Sequence, residues 1–244
     1  MNKINYIIYG IHPIIEVIKA EKRKIIKILI SSNSNKNLFD KVKKLIILKN
    51  LKIKIELVNK NFLDKISNSN EHQGIVAYVD NFIFKKEFFN PQKEKLILLF
   101  DKIQDPRNLG ALLRSAYCSN ISGVILSTIK SSPLTGSAFK ASAGLAENLN
   151  IFEVSSSEKG AKLALENGYE IVIADFGGEN LINYFPIKPT CLIIGSEGFG
   201  VTKSLHKYGK IISIPQKKND ISYNASVAGG LIMFNFAIKM NLLK

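Results

Sequence analysis

The side chains able to donate, accept or carry charge from a fixed loop gather in three stretches. DKIQDPRNLGALLRSA (101–116) follows the apolar run LILLF and offers Asn108 and Arg114. Asp105, Pro106 and Asn108 are turn and capping residues, so a helix starts near them. Arginine keeps its charge at any ordinary pH and suits an oxyanion. From this loop alone, a helix cap with a solvated arginine reads equally well. LIIGSEGFG (192–200) runs a β-branched strand into a glycine-rich turn with one carboxylate, Glu197. Gly195, Gly198 and Gly200 would let the backbone approach a ligand closely. Their order is G-x-x-G-x-G and no Gly-Lys-Ser/Thr follows, which disfavours both a dinucleotide fingerprint and a phosphate-binding P-loop. IISIPQKKNDISYNASVAGGLIMF (211–234) leads from a strand through a basic loop to Ser222 and Asn224, either of which can cap a helix, and then to small residues. Each loop alone reads as a turn or as a ligand loop. Three of them at the ends of three strands point to a site.

The elements around these loops alternate. From Leu96 the pattern is LILLF, a helix after DPRN, GVILS, a helix over GSAFKASAGLAEN, IFEV, a helix over EKGAKLALENG, EIVIAD and CLIIG. A helix near TKSLHKYG, the strand IISIP and a long closing helix from Asn224 complete it. Continuous apolar strands alternating with helices predict an α/β domain with a parallel sheet covered on both faces, its ligand site at the carboxyl ends of the strands. The first 80 residues alternate likewise and predict a smaller α/β unit. The expected organisation is therefore 1–80, a linker at 81–95, and 96–244. Within the linker, Phe82, Phe84, Phe88 and Phe89 suggest packing against something.

Among the 244 residues 46% are hydrophobic and 22% charged, ordinary for a globular protein and not for a disordered chain, a collagen or a coiled coil. No apolar run has the roughly 18 to 20 residues that span a bilayer, and the amino terminus has no signal-peptide pattern. Cys118 and Cys191 have apolar neighbours and read as small core residues. A cytoplasmic, reducing setting is expected. His12, His72 and His206 are scattered, so no metal site is expected, and no elbow motif supports serine hydrolase chemistry. The net charge of +14 predicts an anionic partner, nucleic acid above all, although the excess of Lys over Arg is partly compositional. Residues 1–95 hold 19 basic and 9 acidic side chains against 15 and 11 in 96–244, so the polyanion is expected on the amino-terminal module.

Taken in order, NLGALLRSA, LIIGSEGFG and ISIPQKKNDISYNASVAGG resemble the three motifs of the SpoU/TrmH family, S-adenosylmethionine-dependent RNA ribose 2′-O-methyltransferases of the SPOUT class. YGIHPIIEVIKA and EHQGIVAYV resemble the opening and closing segments of that family's substrate-binding domain, whose fold is similar to certain ribosomal proteins. The resemblance implies a deep trefoil knot in the carboxyl-terminal domain, a homodimer with its sites near the interface, and S-adenosyl-L-methionine as cofactor. It implies one guanosine of 23S rRNA, in the peptidyl-transferase region, as the target. By motif position Gly195, Ile214 and Tyr223 would line the cofactor site, largely through backbone groups. Asn108, Arg114, Glu197, Ser222 and Asn224 would form the catalytic cluster. Tyr223 departs from the family's usual leucine. Three alternatives stand beside this reading: a tRNA 2′-O-methyltransferase of the same family, an inactive RNA-binding or ribosome-assembly protein, and a generic nucleotide-binding α/β protein, against which the ordered motif trio argues.

Overall fold

Runs such as LILLF and CLII are apolar at every position, so they are stable only in a sheet covered on both faces. The computed structural model, which describes residues 6–33, 36–218 and 221–243, places them in one. In chain order the elements are β1 (Tyr6–Tyr9), α1 (Ile11–Ala20), β2 (Ile25–Ser31), α2 (Lys36–Leu48), β3 (Lys54–Val58), α3 (Lys60–Ser67) and β4 (Ile75–Val79). Then come β5 (Leu96–Phe100), α4 (Pro106–Cys118), β6 (Gly123–Ser127), α5 (Gly136–Ala141), β7 (Ile151–Val154) and α6 (Ser157–Glu166). β8 (Glu170–Asn180), β9 (Thr190–Ile194), β10 (Lys210–Ser213) and α7 (Ala225–Lys239) follow, with short 3-10 helices at Leu145–Asn148 and Lys203–Tyr208. Two units result, Met1–Ile83 with Leu134–Asn148, and Phe84–Pro133 with Leu149–Lys244.

The first unit carries a four-stranded sheet in the order β1-β4-β2-β3, parallel only between β2 and β3. α1 buries Ile11, Ile14, Val17 and Ile18, the spacing of one helix face. His72 is buried for structural reasons: its Nδ1 accepts from the Gly74 N–H, so its Nε2 donates to Asp64 at 2.8 Å. Leu134–Asn148, read from the sequence as part of the carboxyl-terminal domain, packs in this unit through α5 against β1 and through its 3-10 helix against α1. It is also two short pieces rather than one helix, because Ala143 and Gly144 take positive φ values of 53° and 84°. Its anchor is ionic. Arg23 and Glu147 are both buried, with Arg23 Nε 3.1 and 3.0 Å from the two carboxylate oxygens and Nη2 2.8 Å from Oε2. The guanidinium also lies over the Phe139 ring, 4.6 Å from its centroid.

The second unit carries a six-stranded, wholly parallel sheet in the order β10-β8-β9-β5-β6-β7. From β5 the chain runs outward through β6 to β7, then crosses to β8 on the other side. The crevice of such a sheet opens where direction reverses, here between β5 and β9. Of the segment expected as a linker, Phe89 is buried in this unit's core, and Phe88 meets Phe89, Phe152 and Tyr169 edge to face. Cys191 is fully buried, and desolvation pushes its thiol up, away from reactivity. Cys118 instead is exposed at the end of α4, because apolar neighbours in sequence do not fix which side of a helix a residue occupies. No helix among the described residues is long and apolar enough to cross a membrane.

Removing either member of the buried pair leaves an uncompensated charge. Arg23→Ala and Glu147→Ala should each cost about 3–5 kcal/mol in chemical denaturation, and the joint apolar replacement Arg23→Met with Glu147→Leu much less. Additive losses in the double variant would contradict this.

Candidate functional site

The site begins with strand register. Phe100 pairs with Ile194, so the loops that follow β5 and β9 leave the sheet at the same level. Asp101 ties them together: its N–H donates to the Ile194 carbonyl at 2.9 Å, and its buried carboxylate accepts from the Thr202 N–H at 2.7 Å. The glycine-rich loop closes on itself, with Ser196 and Gly200 exchanging backbone bonds of 3.1 and 3.0 Å. A Cβ on Gly195 would lie 2.2 Å from the Gly200 carbonyl carbon, so this close approach admits no side chain.

α4 is capped by Asp105, which accepts from the Arg107 N–H, with Pro106 opening the helix. Asn108 is thus inside the first turn rather than at the cap. α7 is capped by Asn224, whose Oδ1 accepts from the Ser226 N–H at 2.9 Å. That bond orients the amide and leaves its Nδ2 as a donor. Glu197 takes both amides: Asn108 Nδ2 reaches Oε2 and Asn224 Nδ2 reaches Oε1, each at 2.8 Å. One carboxylate therefore joins the loops after β5, β9 and β10, at the amino ends of two helices, where negative charge is favoured.

Beside this cluster lies a pocket of about 270 Å³. Gly195, Ile214 and Tyr223, assigned by motif to the cofactor, line it, and so do Glu197 and Ser222, assigned to the catalytic cluster. Asn108 and Asn224 do not line it but touch Glu197. Arg114 stands apart from both. Six residues after Asn108 it is rotated roughly 120° around the helix, is exposed, and has no hydrogen bond or ion pair among the described residues. Asn219 and Asp220 of the third loop lie outside the described residues.

The far wall was not foreseen. β10 pairs with β8 at Ile211 with Ile173, then resumes at Ile212 with Glu179. Residues 174–178 leave the ladder between these points, and Ala174, Asp175 and Phe176 line the pocket. Asp175 Oδ1 accepts from the Phe176 N–H, and Oδ2 lies 2.9 Å from His206 Nε2. Its place at the end of the apolar run EIVIAD, a strand's carboxyl end, was the available signal. Gln216, another lining residue, carried none.

Among the described residues, the charged ones lining the pocket are Asp175 and Glu197, with no Lys, Arg or His. A nucleotide polyphosphate would face two carboxylates and no cation. A cationic ligand with a flat apolar part fits better, against Ile194, Ile214, Tyr223 and Ile232. S-adenosylmethionine, an adenine joined to a sulfonium, is such a ligand. No group of three or more metal-ligating side chains occurs among the described residues.

Residues 95–234 match the SpoU rRNA Methylase family profile, and residues 7–84 match the RNA 2′-O ribose methyltransferase substrate-binding profile. The chain belongs to the SpoU rRNA methylase family. A TrmH family tRNA/rRNA methyltransferase of Staphylococcus saprophyticus is 33% identical, over 97% of each chain. The 23S rRNA (guanosine-2′-O-)-methyltransferase RlmB of Haemophilus influenzae is 29% identical over 93% of this chain and 95% of its own. The AdoMet-bound rRNA methyltransferase of Sinorhizobium meliloti shares the fold, with TM-score 0.77 and 20% identity over 98% of this chain and 88% of that one. S-adenosylmethionine is the cofactor of the SpoU family.

The closeness at Gly195 gives a test. Gly195→Ala should destabilise the protein by about 1–3 kcal/mol, as overpacking does. Gly198→Ala, whose Cβ would meet nothing within 4 Å, should carry only the strain of its φ of 86° and leave the pocket intact. Denaturation and ligand titration of the two variants side by side would check the difference.

Proposed function

We propose that this chain transfers the methyl group of S-adenosylmethionine to the 2′-hydroxyl of one guanosine in the peptidyl-transferase region of 23S rRNA, in the cytoplasm during ribosome assembly. The observation that carries the chemistry is the Glu197 carboxylate, held by Asn108 and Asn224 at the rim of a pocket whose charged lining is acidic. The Haemophilus RlmB relative, alike along nearly the whole of both chains, supports the rRNA target.

When bound, S-adenosylmethionine supplies an electrophilic methyl on a sulfonium. The chain's residues must align the ribose hydroxyl with it and ease loss of the hydroxyl proton. Gly195, Ile214 and Tyr223 form the cofactor wall, and the Tyr223 ring adds apolar surface where the family has leucine. Asn108 positions the ribose, and Glu197 fixes Asn108 and Asn224. Ser222 and Asn224 hold the loop over the cofactor. Arg114 grips an RNA phosphate and organises the hydroxyl; its pKa is too high for an ordinary base, and its planar fork suits phosphate. Its lack of a protein partner among the described residues leaves that fork available. The proton leaves with attack or passes to a phosphate oxygen. The amino-terminal unit captures RNA through its basic excess.

A homodimer fits the same reading. Val227, Leu231, Phe234 and Ile238 are exposed along one face of α7, while Ile232, Met233 and Phe236 are buried on another. A helix apolar on all sides calls for cover on all sides. The trefoil knot belongs to this proposal too, on the strength of the family resemblance. The tRNA alternative draws on relatives named tRNA/rRNA methyltransferases.

Incubation with labelled S-adenosylmethionine, a peptidyl-transferase-region transcript and bulk unmodified tRNA should give one 2′-O-methylguanosine in the rRNA alone, mapped by mass spectrometry. Methyl on tRNA alone would replace the substrate, and cofactor binding without product on either RNA would favour an inactive assembly protein. Arg114→Lys should lower turnover on the order of 10- to 100-fold, and Glu197→Gln, which can satisfy only one of the two asparagine donors, about tenfold. Near-normal turnover with unchanged RNA affinity in Arg114→Lys would rule out the arginine-specific account.

A further inference from the structure

Gln216 lies in the loop after β10 and lines the pocket. Its Nε2 is shielded from solvent and has no hydrogen-bond partner among the described residues. An enclosed amide donor without a partner costs stability, and native chains seldom keep one without a reason. The carboxylates nearby are already engaged, Asp175 by the Phe176 N–H and His206, Glu197 by Asn108 and Asn224. Gln216 therefore faces the pocket as an uncommitted donor, neutral and fixed beside apolar walls.

The cofactor of the proposed function offers acceptors at two ends, an amino-acid carboxylate and the ring nitrogens of adenine. Asp175 and Glu197 would repel the carboxylate. The neutral ring carries its acceptors in a flat apolar frame that Ile194, Ile214 and Ile232 can enclose. We infer that the Gln216 side chain donates a hydrogen bond to a ring nitrogen of the cofactor's adenine and so helps to select it. This rests on the cofactor reading above and extends it to a side chain outside the motif residues already assigned.

The test is titration calorimetry with S-adenosylhomocysteine and its three ring-nitrogen deaza analogues, on the full-length wild type, Gln216→Met and Gln216→Glu, with melting of the ligand-free proteins alongside. Gln216→Met should weaken S-adenosylhomocysteine about 5- to 10-fold, the worth of one neutral hydrogen bond, and Gln216→Glu more. The ligand-free melting temperature of Gln216→Met should stay level or rise, since an unpaired donor has been removed. One deaza analogue should bind wild type and Gln216→Met equally. Equal binding of S-adenosylhomocysteine by both proteins overturns the inference. So does the same loss with every analogue, or a lower melting temperature with affinity intact, which marks a structural amide. A folded wild type that binds none of these ligands overturns the cofactor reading itself, and this inference with it.

Discussion

Glu197 holds two amides, one from the start of each of two helices. Asn224 is committed through its oxygen to capping α7, so only its nitrogen can face the carboxylate. Asn108 is fixed by its place in the first turn of α4, and α4 by the Asp105 cap. The bridge works because parallel pairing of β5 with β9 brings their ends to one height and Asp101 fastens the following loops together. Three segments distant in sequence are thus joined into one rim. A site built on strand ends and helix caps can hold a reacting pair within the tolerance that displacement chemistry needs.

The electrostatics of the chain and of its pocket have opposite signs. The protein carries +14 overall, yet among the described residues the charged ones lining the pocket are two carboxylates. A polyanion is drawn to the molecule as a whole and turned away from this cavity, whereas a sulfonium is welcome inside it. The two binding partners of a methyl-transfer reaction on RNA are sorted before either makes a specific contact.

Much of this was legible in the sequence, where geometry follows from local rules. Uninterrupted apolar strands dictated a covered parallel sheet, and that sheet put Glu197 and Asn108 at its carboxyl edge. The Asp105-Pro106 pair announced the start of α4. The losses have physical causes. Asp175 lines the pocket because β10 skips residues 174–178 of β8, a matter of pairing between strands that no single segment encodes. Gln216 matters through enclosure, which depends on the whole fold. The helix expected over 136–148 breaks at Ala143 and Gly144, and its attachment to the first unit rests on Arg23, more than a hundred residues earlier in the chain.

The chain passes between its two units three times, at Ile83, Pro133 and Asn148. A module joined end to end would need a single passage. Here the polypeptide that builds the methyltransferase sheet also contributes Phe139, Ala146 and Glu147 to the interior of the other unit. A chain divided after Ile83 would carry that apolar segment and its buried carboxylate on a different piece from Arg23, their partner in the first unit. The two units are therefore built from one interleaved chain rather than from two consecutive ones.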